Sequence, residues 1–91
     1  MVFATTASTN AEPTYPIEDW CAQVSMVLGG SNAIERGCIA RETRARQTIR
    51  DLDPIEPPIH EHCDEAATVG TGSHGSYLVY LDCVREERAA Q

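Results

Sequence analysis

The densest run of chemistry-bearing side chains is Ile59-His60-Glu61-His62-Cys63-Asp64-Glu65, which offers imidazole, thiol and carboxylate donors within seven residues. Such donors hold Zn²⁺, Cu²⁺ or Ni²⁺ only when they converge on one point. On a helix, His60 and His62 stand about 200° apart around the axis, so they do not share a face. His60 does share one with Asp64 at i, i+4, and His62 shares one with Glu65 at i, i+3. This gives one reading of the chain, a metal-binding or metal-buffering protein using His60, His62, Asp64 and Glu65. Cys63 joins that set only if it is a free thiol. The competing reading is the polar first turn of an acidic helix.

Gly70-x-Gly72-x-x-Gly75 matches the dinucleotide-binding fingerprint letter for letter. That fingerprint works only between a strand and a helix, in a βαβ unit that brings the pyrophosphate to the helix start. The segment before Gly70 reads as helix, so the glycines are expected to form a flexible helix–helix loop. Ser73-His74 adjacency is not a catalytic dyad, and G-x-S-x-G does not occur. The residues therefore point away from an enzyme, and no cofactor is expected.

The cysteines carry more information. Cys21, Cys38, Cys63 and Cys83 are separated by sixteen, twenty-four and nineteen residues, and there is no C-x-x-C. Zinc-ribbon, thioredoxin-type and c-type haem chemistry are therefore unsupported. The chain has 91 residues, 42% of them hydrophobic and 5% aromatic. A domain of this size buries only about 60% of the surface its unfolded chain exposes, so it needs staples. An even cysteine count in such a chain favours disulfides and an oxidising compartment. The expected location is the periplasm or outside the cell. Residues 1–11 lack a charged start and an apolar run, although Thr9-Asn10-Ala11 has the small-residue look of a processed leader's remnant. Fourteen acids against seven arginines give a net charge of −7, which disfavours nucleic acid and anionic bilayers. No stretch of about 18 apolar residues is present to span a membrane.

These residues must be positioned by helices. Residues 1–15 show no period and are read as a flexible arm, followed by a single four-helix domain over 16–91. Its two halves are 16–53 and 57–91. Ile17, Trp20, Cys21, Val24, Val27 and Leu28 form the inward stripe of a first helix that Gly29-Gly30 stops. Ser31 or Asn32 caps a second helix, with Ile34, Cys38, Ala45, Ile49 and Leu52 inward and Pro54 ending it. The five arginines of this helix read as a solvated face with pairs such as Glu42–Arg46. A stiff connector, Asp53-Pro54-Ile55-Glu56-Pro57-Pro58, leads to a third helix over 59–69 with Ile59, Cys63 and Ala66 inward. Ser76 caps a fourth helix carrying Tyr77, Tyr80, Leu81 and Val84 on one face. The run Tyr77-Leu78-Val79-Tyr80-Leu81 is also rich in strand formers, and local propensity does not decide between helix and hairpin.

An internal repeat decides it. Aligning Cys21 with Cys63 and Cys38 with Cys83 superposes Gly30-Ser31 on Gly75-Ser76 and Glu42 on Glu87. Two copies of one unit imply one local structure, and the first copy is clearly helical. Cys21 lies eight residues before Gly29 and Cys38 eight after Gly30, so on antiparallel helices they stand level. Cys63 and Cys83 are similarly level about their glycine loop. Level positions on packed helices can bring Cα atoms within the roughly 7 Å a disulfide requires. The expected pairing is Cys21–Cys38 and Cys63–Cys83, and the expected fold is all-α, two disulfide-stapled antiparallel helical hairpins.

The unit Cys63 … Gly75-Ser76-Tyr77 … Cys83 … Glu87 resembles that of small bacterial cell-envelope proteins carrying a C…GGSY…C…E helical-hairpin repeat. The likeness spans about residues 20–90, with Asn32 in place of the tyrosine in the first copy and His74-Gly75 in place of the double glycine in the second. It implies export and helical hairpins and assigns no catalytic residue. The function expected is that of a small exported interaction or structural protein, binding an envelope partner or a second copy of itself.

Overall fold

The computed structural model describes residues 12–91. Four helices follow one another: α1 (Ile17–Val27), α2 (Asn32–Asp51), α3 (Pro57–Val69) and α4 (Tyr77–Ala89). Among the described residues α1 packs on α2, α2 on α4 and α4 on α3, and no other pair of helices packs. The helices therefore stand in the spatial order α1, α2, α4, α3. Glu42, midway along α2, meets the first residues of α4, and Arg88 near the end of α4 reaches Asp53 and Pro54 just past α2. These contacts make α2 and α4 run in the same direction.

Both disulfides form as the level spacing predicts. Cys21–Cys38 ties α1 to α2 and Cys63–Cys83 ties α3 to α4, each with Cα atoms 5.5 Å apart. The helix boundaries follow from local chemistry. Glu18 and Asp19 sit in the first turn of α1, where carboxylates favour the positive end of the helix. Gly29 and Gly30 end α1 at φ 110° and 79°, and the Gly30 amide closes the turn by donating to the Ser25 carbonyl at 2.6 Å. Ser31 is the cap of α2, its hydroxyl accepting from the Ala33 and Ile34 amides. Pro57 and Pro58 occupy the first turn of α3, so this helix begins two residues earlier than Ile59. The strand-forming run Tyr77–Leu81 is helical, capped by Ser76.

The core lies almost wholly around α4. Tyr77, Tyr80, Leu81 and Val84 pack with Ile59, Cys63 and Ala67 of α3, Ala45 and Ile49 of α2, and Ile55 of the connector. Ala67, not Ala66, is the buried alanine of α3. Ile59, Cys63 and Ala67 lie on one i, i+4 row of α3, which is its buried side, and Ala66 falls off that row.

The expectation of a flexible arm through residue 15 is corrected at its end. Tyr15 is only 7% exposed and belongs to the core, packing on Tyr77 with ring centroids 4.9 Å apart and on Tyr80 at 6.3 Å. Its amide donates to the Tyr77 hydroxyl at 3.0 Å. Glycine is required at 75 for two reasons, a φ of 89° and the Tyr15 ring standing where a Cβ would go. Residues 12–16 are thus a strap across the two hairpins. The rest of the expected arm, residues 1–11, lies outside the described residues.

Candidate functional site

Hairpin α1–α2 is anchored to the rest of the molecule only through part of its length. α4 starts level with Glu42, so residues 32–41 of α2, about 15 Å of helix, run past the start of α4 with α1 alongside. Within α1 only Cys21 and Ser25 are buried. Both of these hold the hairpin to itself. Cys21 makes the disulfide, and the Ser25 hydroxyl donates to the Ser31 carbonyl at 2.9 Å across the turn.

At the end of this projection Met26, Val27 and Leu28 are 77%, 77% and 61% exposed. Val27 and Leu28 belong to the apolar stripe that the sequence places inward. Cys21 of that stripe is buried in its disulfide to α2, but Val27 and Leu28, in the last turn, are not covered. Three large apolar side chains beside a Gly-Gly turn are therefore left in water. Isolated exposed apolar residues are ordinary, whereas these three are consecutive in the chain.

The joint that sets the tip's direction is Glu42. Its carboxylate is 2% exposed and accepts from the Ser76 hydroxyl and the Tyr77 amide, both at 2.6 Å. A charged acceptor at a helix start satisfies an otherwise orphaned N–H and meets the positive end of the helix dipole. Glu42 is thus a cap for α4 supplied from α2, rather than a solvated partner of Arg46. Arg46 instead lies over the Tyr77 ring, its guanidinium carbon 6.0 Å from the centroid. Glu87, at the matching position of the second half, sits 3.6 Å from His62 on the surface.

The glycine loop after α3 is more ordered than its composition suggests. Buried Thr71 donates its hydroxyl to the Ala67 carbonyl at 2.8 Å and accepts from the Gly75 amide at 2.6 Å. His74 lies beside Trp20 of α1, with ring centroids 6.2 Å apart, so this loop also braces the base of the projecting hairpin. A helix precedes the loop, which removes the strand that a dinucleotide fingerprint needs.

The ligand candidates on α3 are dispersed. The His60 Nδ1 is 2.9 Å from the Tyr80 hydroxyl on the inner side. Asp64 accepts the Tyr15 hydroxyl at 2.7 Å, His62 faces Glu87, and Glu65 is exposed. Cys63 is in a disulfide. Among the described residues no three His, Cys, Asp or Glu side chains converge to hold a metal ion. Burial pushes the Tyr15 phenol well above its ordinary range, with the Asp64 hydrogen bond and charge adding to it. Burial also raises Tyr80, from 10.0 to about 12, with the Asp64 charge contributing. Both phenols are held neutral, and that of Tyr15 donates to Asp64.

Comparison of the chain with protein-family models, curated proteins and solved structures finds no match. The site therefore rests on its own geometry. That geometry is a projecting, cross-linked hairpin with an apolar tip, joined to the base by the second half of α2, where Ala45 and Ile49 enter the core and the buried Glu42 carboxylate caps α4. The sequence gives the hairpin and its staple. It does not give the exposure of Val27 and Leu28, because periodicity shows which face is apolar and not whether a neighbour covers it.

Among the described residues no helix is long and apolar enough to cross a membrane. Two disulfides and no free cysteine are compatible with an oxidising compartment.

Proposed function

We propose that this chain is a small exported interaction module that performs no catalysis and presents the tip of hairpin α1–α2 to a protein of the cell envelope or to a second copy of itself. One observation carries the reading: Met26, Val27 and Leu28 are three consecutive exposed large apolar side chains at the end of a hairpin whose internal links are a buried disulfide and a buried serine. A rigid binding element loses little conformational freedom on docking, so even a small apolar contact yields net affinity. The two disulfides support a periplasmic or extracellular address, as does the resemblance to envelope proteins with a C…GGSY…C…E repeat. The duplicated cysteine–glycine–serine–glutamate pattern supports descent of both hairpins from one unit.

The test places a photo-crosslinking residue at Val27 in the exported full chain, with a second at exposed Val69 as control. A discrete adduct from position 27, lost on Leu28→Glu and absent from position 69, is the expected result. Its mass distinguishes a self-adduct from a heterologous one. Equal crosslinking from both positions, or none from position 27 in any compartment, overturns the reading.

A further inference from the structure

A second, independent feature lies at the other end of α1. A cleft of about 360 Å³ opens between the first turn of α1, the Tyr15 strap and the outer side of α2. That volume lies at the lower end of the roughly 300–1,000 Å³ seen for small-molecule sites. Ile17 and Ile39 supply apolar wall, Thr43 a hydroxyl, Arg46 a guanidinium, and Glu18 and Asp19 two carboxylates. Arg46 is seated over the Tyr77 ring and makes no ion pair within 4.0 Å among the described residues. Its donor fork is thus oriented by packing and left open to a planar acceptor, the geometry in which arginine binds carboxylates in a bidentate manner. The two acids line the same cleft and form no ion pair with Arg46 within 4.0 Å.

A cleft lined by both signs of charge and by apolar side chains selects a ligand that carries both signs beside an apolar group. We propose that this cleft binds the zwitterionic α-amino-acid unit with an apolar side chain, as a free amino acid or a dipeptide. The carboxylate lies on Arg46 and Thr43, the ammonium faces Glu18 and Asp19, and the side chain rests on Ile17 and Ile39. A purely anionic ligand meets two carboxylates for one guanidinium and is repelled. A neutral apolar one leaves all three charges without partners.

The experiment titrates the intact, oxidised chain with L-leucine and with L-leucyl-L-leucine, followed by amide chemical shifts. Saturable shifts confined to residues 15–19 and 39–46, with a Kd of about 1 mM or tighter for at least one ligand, are expected. Binding by leucine alone assigns a free amino acid, and binding by the dipeptide alone a peptide. N-acetyl-leucine amide, which lacks both charges, leaves the spectrum unchanged. Arg46→Gln weakens binding by about tenfold or more, since a hydrogen bond to a charged group is lost. Glu18→Gln with Asp19→Asn, at two exposed positions, weakens it while leaving the fold intact and decides the matter should Arg46→Gln disturb Tyr77. Absence of saturable shifts with either ligand up to about ten times that concentration overturns the proposal. So does unchanged affinity in the acidic double variant together with binding of the capped leucine.

Discussion

The two hairpins share a sequence pattern and differ in what holds them. In α3–α4 the disulfide is embedded in the main core, flanked by Ile59, Ala67, Tyr80 and Val84. In α1–α2 the disulfide stands largely alone, because α1 buries only its cysteine and one serine. The same covalent link therefore reinforces packing in one case and replaces it in the other. Both hairpins begin their second helix with a positive-φ glycine and a serine cap, yet only Ser76 also receives a glutamate from a neighbouring helix. A local motif specifies a hairpin, and its surroundings decide whether that hairpin becomes base or projection.

Removing each disulfide in turn is the strongest way to break this comparison. Each closes a loop of seventeen or twenty residues, and the chain-entropy model assigns about 3 kcal/mol to either. Cys63→Ala with Cys83→Ala is expected to lower global stability by at least that amount in urea denaturation, since it also leaves a gap in the core. Cys21→Ala with Cys38→Ala is expected to act locally. Amide exchange should accelerate across 17–27 while 57–89 stays protected. Loss of protection in both regions from either pair would erase the distinction between the hairpins.

The matched glutamates sharpen it further. Glu42→Ala leaves the Ser76 hydroxyl and Tyr77 amide buried without their acceptor and is expected to cost about 3 kcal/mol. Glu87→Ala removes only a surface contact to His62, so a change within about 0.5 kcal/mol is expected. Similar losses at the two positions would mean that Glu42 is not the joint between hairpins.

A smaller effect than the loss of Glu42 concerns the strap. Tyr80 is neutral-favoured, raised from 10.0 to about 12, and Tyr15 is raised as well. Their contribution to stability is complete below pH 10 and is lost as pH rises through the folded values, about 12 for Tyr80. Phenolate absorbance should accordingly appear late and together with unfolding. Tyr15→Phe, which deletes the hydrogen bond to Asp64, is expected to cost about 1 kcal/mol. An early, reversible phenolate signal from Tyr80 in the folded chain would show that the strap does not seal this region.

Most of the fold is legible in the sequence because its punctuation is local. Gly29-Gly30, Ser31 and Ser76 mark helix ends by their own backbone and hydroxyl chemistry, and level cysteine spacing selects the pairing. The features that escape are those made at a distance. Glu42 has Arg46 one turn away as an ordinary surface partner, so nothing nearby signals that its true partners lie more than thirty residues on. Tyr15 is a single ring in an aperiodic segment, and one residue has no period to read. Its only trace is the glycine at 75, which the loop's own turn would explain equally well.

The connectivity has a consequence for how the molecule is made. Each disulfide joins two cysteines that are neighbours in the order of the chain, the first with the second and the third with the fourth. A polypeptide appearing from its amino end meets its correct partner first at each step, so oxidation in order of appearance reaches the native pattern without any bond having to be undone. Manufacture of this protein thus calls for an oxidant, and its native pattern requires no pairing out of chain order.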